Sequence, residues 1–248
     1  MLKISAAGMS DAGNYRSRNE DAYDINEALG LFVVADGIGG RPGGDIASAT
    51  IAEAMPSFVQ KRLKELPDDQ AGPKIANVLK LAIRDVNRLI CDRSGALPEW
   101  EGMGSTIVAC LIRDDKVIIA HKGDSRAYLL RGKHLERLTT DHNVANDLLR
   151  KGAISVAAAE CLPNGHHITS FVGMEHDIDA EITSVSLQDG DKLLLCTDGL
   201  TGELTEPGII NILVLQTDPD LSNRKLIEAA NEAGGQDNIT AVTLCVTA

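Results

Sequence analysis

LFVVADGIGG, residues 31–40, is the stretch on which the reading of the fold turns. Leu31 to Ala35 form an apolar run of strand length that leads straight into Asp36 and then into Gly37, Gly39 and Gly40. A carboxylate at the end of a buried strand is costly unless something compensates its charge. The glycines strip the following turn of side chains, so the backbone can bend sharply there. Two familiar glycine-loop chemistries do not fit. A dinucleotide fingerprint wants glycine at position 42, which is Pro42, and an acid about 20 residues on in a βαβ unit, where Glu53 falls instead inside a helical stripe. A phosphate loop wants Gly-Lys-Ser or Gly-Lys-Thr, which is missing.

Outward from this strand, residues 105–113, 116–124, 126–132, 134–138, 192–198 and 238–246 also read as strands. The short turns Asp114-Asp115 and Gly132-Lys133 predict an antiparallel meander over 105–138. Between Asp179 and Leu187 the apolar phase shifts from Ala180 and Ile182 to Val185 and Leu187, which predicts a bulge. One-faced apolar stripes predict helices over 74–90 and from Ile51 to Leu63, the latter kinked by Pro56, with two more near 206–216 and 221–233. Helix pairs flanking long strand runs, without βαβ alternation, predict an α+β fold with antiparallel sheets covered by helices. No repeat or linker composition breaks the chain, so residues 1–248 read as one domain.

Asp36 has counterparts. Asp124 closes VIIAHKG, Asp198 closes KLLLCT, Asp237 precedes NITAVTLCV, and Asp21, after Glu20, precedes AYDI. Any single one is an ordinary turn aspartate. Strands of a packed sheet end along a common rim, however, and carboxylates converging there repel one another. A divalent cation relieves that repulsion, and an all-oxygen set suits Mg²⁺ or Mn²⁺ rather than Zn²⁺. Gly37 could then aim its carbonyl at an ion, and Gly39 and Gly40 leave room for solvent and substrate. Arg16, five residues before Asp21, could grip two oxygens of a phosphoryl group at the edge of such a site.

The composition narrows the classes. Of 248 residues 44% are hydrophobic but only 3% aromatic, so the core is aliphatic. A formal charge of −12 argues against nucleic acid and anionic lipid as partners. No stretch has the roughly 18 apolar residues of a membrane span, and residues 1–13 lack the apolar run of a signal peptide. The five cysteines are scattered, without C-x-x-C, and read as reduced, mostly buried thiols of a cytoplasmic protein. Cys196 reads as a core thiol, His142 as a loop anchor, and His166-His167 as a polar loop rather than a metal pair.

GNYRSRNEDA (13–22), VVADGIGG (33–40), EGMGSTIVA (101–109), KGDSRAYLLR (122–131), LTTDHNV (138–144), LLLCTDGLTGEL (193–204) and GGQDNITAV (234–242) together resemble the metal-dependent serine/threonine protein phosphatases of type 2C, in their compact bacterial form. The resemblance implies a four-layer α/β/β/α sandwich of two antiparallel sheets flanked by helix pairs, with a two-metal site at one edge. It implies that Asp36 bridges both ions, Gly37 binds one through its carbonyl, and Asp198 and Asp237 bind the other. By the same match Glu20 and Asp21 hold metal-bound waters, Arg16 binds the substrate phosphate, Asp124 with Asp198 helps hold a third ion, and Asn238 orders the site. The implied reaction is hydrolysis of phosphoserine and phosphothreonine on proteins by a metal-bridging hydroxide, opposing a cognate kinase. Two departures stand out. Ile38 occupies the position where many members carry a histidine, and the flap stretch CLPNGHHITSFVG (161–173) lacks the family's arginines. They keep a second reading open, a catalytically weakened pseudophosphatase serving as a regulatory binding module.

Overall fold

The strand at Leu31–Asp36 is apolar throughout because both of its faces are covered. Leu31, Val33 and Ala35 pack among helical side chains, whereas Phe32 and Val34 pack against a second sheet. The computed structural model describes residues 2–40, 42–66 and 73–248. In chain order the strands are β1 (Lys3–Asp11), β2 (Asp21–Asn26), β3 (Leu31–Asp36), β4 (Ile107–Arg113), β5 (Lys116–Lys122), β6 (Arg126–Arg131), β7 (His134–Arg137), β8 (Glu181–Ser186), β9 (Lys192–Cys196) and β10 (Ile239–Thr247). The helices are α1 (Gly44–Lys64), α2 (Pro73–Ala96), α3 (Val144–Arg150), α4 (Val156–Glu160), α5 (Asp198–Thr201), α6 (Glu206–Leu215) and α7 (Pro219–Ala233).

Two five-stranded sheets form, in the orders β1-β10-β9-β6-β7 and β2-β3-β4-β5-β8, with every pairing antiparallel. Between them lies an aliphatic layer that includes Val34, Val108, Ile119, Leu129, Leu195 and Val242. Helices α1 and α2 cover one outer face with Ile51, Met55, Leu79 and Ile83, and α6 and α7 cover the other with Ile209, Leu213 and Leu226. The result is the expected α/β/β/α stack. Helix α1 runs from Gly44, seven residues before the apolar stripe begins at Ile51, and continues through Pro56.

Two expectations are corrected. Residues 105–138 do not form one meander. β4 pairs with β5 and β6 with β7, but the two pairs belong to different sheets. The chain crosses between them at Gly123–Ser125, where Gly123 has φ +114 and a Cβ would meet Thr106 at 2.7 Å. Nor is there a bulge near 180–187, since β8 pairs with β5 in unbroken register from Glu181 to Ser186. Ala180 and Ile182 face the α1/α2 layer while Val185 and Leu187 face the inter-sheet layer, so the apparent phase change is one regular strand serving two cores.

Strand β1, KISAAGMSD, carries weak strand propensity and forms by pairing with β10 along its whole length. A buried polar contact also ties it to its helix layer. Asn223 of α7 is fully buried, donates to the Ala7 carbonyl at 2.8 Å and accepts from the equally buried Thr243 hydroxyl at 2.5 Å. Asn223→Ala is expected to lower the unfolding free energy by about 2–3 kcal/mol, because it leaves a buried carbonyl and a buried hydroxyl unpaired. Urea melts of the variant check this, and a loss below about 0.5 kcal/mol would mean that apolar packing alone seats α7.

Candidate active site

The site is assembled where strands of both sheets run out. Asp21 and Asp36 lie opposite each other in the β2–β3 ladder. Asp198 opens α5 two residues after β9 ends, and Asp237 stands two residues before β10 begins. Asp124 sits on the crossing from β5 to β6, between the two sheets. These aspartates, drawn from distant parts of the sequence, interact as one group. The charge of Asp36 is opposed by Asp21, Asp198 and Asp124.

The frame around them is built from hydroxyls, amides and glycines. The Asp36 amide donates to Thr106 Oγ1 at 3.0 Å, and Thr106 Oγ1 in turn meets Ser125 Oγ at 2.7 Å. Asp21 Oδ2 accepts from Thr197 Oγ1 at 3.0 Å and Thr240 Oγ1 at 2.7 Å. Asn238 donates to the carbonyls of Ala12 and Arg18, each at 2.9 Å, and accepts from the Glu20 amide at 2.8 Å, so it fixes the segment that presents Arg16 and Glu20. Gly37 admits no side chain, since a Cβ would stand 2.4 Å from the Gly44 carbonyl oxygen. At Gly199 it would stand 2.0 Å from the Asn238 carbonyl oxygen.

Above this floor opens a cleft of about 730 Å³, into which Arg16, Glu20, Asp36, Asp124, Asp198 and Asp237 all face. Arg16 donates to Asp237 at 2.7 Å. Every predicted site residue is therefore brought to one place, with Asp21 behind the floor and Asn238 at its margin.

Without a compensating cation the floor is electrostatically unfavourable. Burial pushes the Asp21 and Asp124 carboxyls up to about 7, with Asp198 adding repulsion to each. Burial, then Asp21, Asp198 and Asp124, raises Asp36 well above the carboxylate range. Burial also raises Asp198, and it raises Glu20 with help from Asp45. Asp21 Oδ1 is buried and has no hydrogen-bond partner. Two nearby guanidiniums are paired with acids, Arg16 with Asp237 and Arg126 with Asp141. An oxygen-only donor set with an orphaned carboxylate oxygen and surplus negative charge fits Mg²⁺ or Mn²⁺.

A second group of ligand-type side chains, His121, His142 and Glu181, is already committed to the frame. His142 Nδ1 accepts from the Gly123 amide at 2.9 Å and Nε2 meets Glu181 at 3.0 Å, while His121 Nε2 meets the Thr140 carbonyl at 2.9 Å. His142 thus anchors the turn that carries Asp124, as its place in TTDHN suggested. Sequence reasoning did not single out Thr106, Thr197 and Thr240, whose hydroxyls carry no signal within strand-like segments. His166 and His167, which read as a polar loop in the sequence, both line the cleft.

An acidic, oxygen-lined floor beneath a rim arginine defines a metal-dependent phosphoester hydrolase. The chain belongs to the protein phosphatase 2C family, whose model matches residues 14–234. It is 34% identical to the serine/threonine phosphatase stp of Listeria monocytogenes over 236 residues, 94% of this chain and 92% of that protein. Among solved structures it is similar to the serine/threonine phosphatase Stp1 from Staphylococcus aureus, with TM-score 0.86, 28% identity, and 99% of this chain and 96% of that one covered. It is also similar to the catalytic domain of the serine/threonine protein phosphatase PstP in complex with two manganese ions, with TM-score 0.81, 31% identity and both chains fully covered. By family the chain is a protein-serine/threonine phosphatase.

The crowded acids give the metal-free protein a pH signature. Folded, Asp21 and Asp124 keep their protons up to about pH 7, whereas unfolded aspartate loses its proton near 4. The folded state thus binds more protons between those limits, and stability falls as pH rises through them. Buried His121, pushed down to about 4, acts in the opposite sense below about 6.5. The carboxyl effect is therefore read above that value. In EDTA, Tm is expected to fall between pH 6.5 and 8, and saturating Mn²⁺ to abolish the slope. A flat metal-free Tm over this range would show that the folded state does not hold these carboxyls protonated.

Proposed function

We propose that residues 1–248 act as a single catalytic domain that hydrolyses phosphoserine and phosphothreonine esters on proteins, using Mn²⁺ or Mg²⁺ at the floor of the cleft. The observation that carries this reading is the convergence of Asp21, Asp36, Asp124 and Asp198, whose carboxyls are all raised, first by burial and then by neighbouring acids. The manganese ions of the related PstP domain support the choice of metal. Asp36, the Gly37 carbonyl, Asp198 and Asp237 would hold two ions, Glu20 and Asp21 would act on them through water, and Asp124 with Asp198 would hold a third. Bound there, the ions supply the Lewis acidity that makes water a nucleophile at neutral pH.

The remaining work falls to the chain's own groups. Arg16 uses one nitrogen on Asp237 and keeps further donors for the non-bridging oxygens of a phosphoryl group. Asn238 fixes the backbone on either side of Arg16, and Asp237 holds its half-exposed guanidinium at the rim of the cleft. The formal charge of −12 disfavours polyanionic ligands across the molecule, so an anionic ester needs the cations and Arg16 of the cleft. No thiolate competes as nucleophile at the strand end, since burial pushes the Cys196 thiol up to about 12. The partners implied are phosphorylated proteins and a cognate serine/threonine kinase whose modification is removed, with the cytoplasm as the compartment. No described helix is long and apolar enough to cross a membrane.

With Mn²⁺ the protein is expected to hydrolyse p-nitrophenyl phosphate and a phosphothreonine peptide, and to lose both activities in EDTA. Absence of manganese-dependent turnover in folded protein would instead support the pseudophosphatase reading, which Ile38 in the cleft lining favours. Asp36→Asn and Asp237→Asn are each expected to lower kcat/KM by about 10³-fold or more while the fold persists. Arg16→Ala is expected to raise KM for phosphate esters by about tenfold, with a smaller effect on kcat. Steady-state kinetics at saturating Mn²⁺ decide the point, and an unchanged KM would remove Arg16 from substrate binding.

A further inference from the structure

A serine or threonine phosphate leaves as an alkoxide, a poor leaving group that departs more easily when a proton reaches its oxygen as the P–O bond breaks. The floor of the cleft offers no group suited to supply it. Its carboxyls would be ionised beside divalent ions, Arg16 does not release a proton at working pH, and Ile38 has none to give. The loop after α4 adds His166, His167 and Ile168 to the lining. Histidine is the side chain whose ordinary titration falls between pH 5 and 8.

The loop is fixed by its backbone. The Ala145 amide donates to the Gly165 carbonyl at 2.9 Å, the Val144 amide to the His167 carbonyl at 3.0 Å, and the Thr169 amide to the His142 carbonyl at 2.9 Å. Gly165 is buried, and a Cβ there would meet Ala145 and Leu162 within 3.1 Å. The imidazoles themselves are uncommitted. Both residues are exposed, their rings meet edge to face with centroids 4.9 Å apart, and neither ring hydrogen-bonds to a described residue. A clamped backbone bearing free imidazoles over a phosphate cleft is suited to serve an incoming group.

We infer that the His166–His167 pair delivers the proton to the departing serine or threonine oxygen, an inference that rests on the phosphatase reading above. As the P–O bond breaks, its electron pair stays on the side-chain oxygen and the imidazolium proton moves onto that oxygen, releasing the alcohol. Water supplies the oxygen that replaces it on phosphorus, giving inorganic phosphate, and the proton shed by that water restores the imidazolium.

The test compares manganese-saturated wild type with His166→Gln, His167→Gln and the double variant. The substrates are a phosphothreonine peptide and aryl phosphates running from p-nitrophenyl phosphate to phenyl phosphate. The double variant is expected to lose about 10²-fold in kcat/KM on the peptide and progressively less as the leaving group becomes more acidic. Its plot of log kcat/KM against leaving-group pKa then steepens, and a single variant that carries most of the loss identifies the donor. Because both side chains are exposed the variants should fold, which matched melting curves verify. Equal losses across the series, or a higher KM alone, would assign the pair to substrate grip and overturn the inference while the phosphatase reading stands. Wild-type protein inert toward the peptide would remove both.

Discussion

Where the two sheets meet at one edge, carboxyl groups from distant parts of the chain are pressed together in a partly closed space, and the surrounding architecture answers that repulsion. Asp21 and Asp36 come from one sheet, Asp198 and Asp237 from the other, and Asp124 from the strand crossing between them. None can move away independently, because each is attached to a strand end or turn pinned by the cores on either side. The conflict is met in two ways. Part of the charge is absorbed by raised proton affinity, most evidently at Asp21, Asp36 and Asp124. The rest creates a standing demand for cations, which the oxygen-only lining is chemically suited to satisfy.

Supporting contacts carry the geometry back into the fold. Thr197 and Thr240 come from the ends of β9 and β10 and bind a carboxylate that belongs to the opposite sheet, so Asp21 is positioned by both layers at once. Asn238 performs a similar service for the arginine-bearing segment, and His142 for the Asp124 turn. Behind Asp124, Arg126 and Arg137 both engage the buried Asp141, which keeps that carboxylate paired beside the floor. Steric exclusion sets the same positions from the other side. The backbone of α5 approaches Asn238 so closely that only glycine can stand at 199.

Much of this was legible in the sequence because it obeys local rules. An aspartate at the end of an apolar run marks a strand leaving the core, and the acids of 36, 124 and 198 announce themselves in that way, while Asp237 stands just before its strand. The helix of 74–90 followed from its one-faced stripe. What could not be read depended on partners far along the chain. β1 has the composition of a loop and becomes a strand only because β10 offers it a full edge. The pairing of 105–138 was misassigned because turn chemistry cannot say whether two adjacent hairpins share a sheet, and Gly123 sends the second hairpin to the other layer. The bulge was inferred from residues that serve opposite faces of one regular strand. The threonine hydroxyls that bind Asp21, and the histidines that face the cleft, belong to segments whose local pattern names only a strand or a loop.

The inter-sheet layer has one further consequence. Among its described buried residues only Phe32 is aromatic, and the rest are aliphatic side chains or a thiol. Since the acids hang from both sheets, the thickness of that greasy filling sets the gauge of the mouth at its edge. A swap such as valine for leucine deep inside, well away from solvent, acts like a shim under one jaw of a vice. Ion preference can thus drift through changes in plain hydrocarbon, with every polar residue at the opening left untouched.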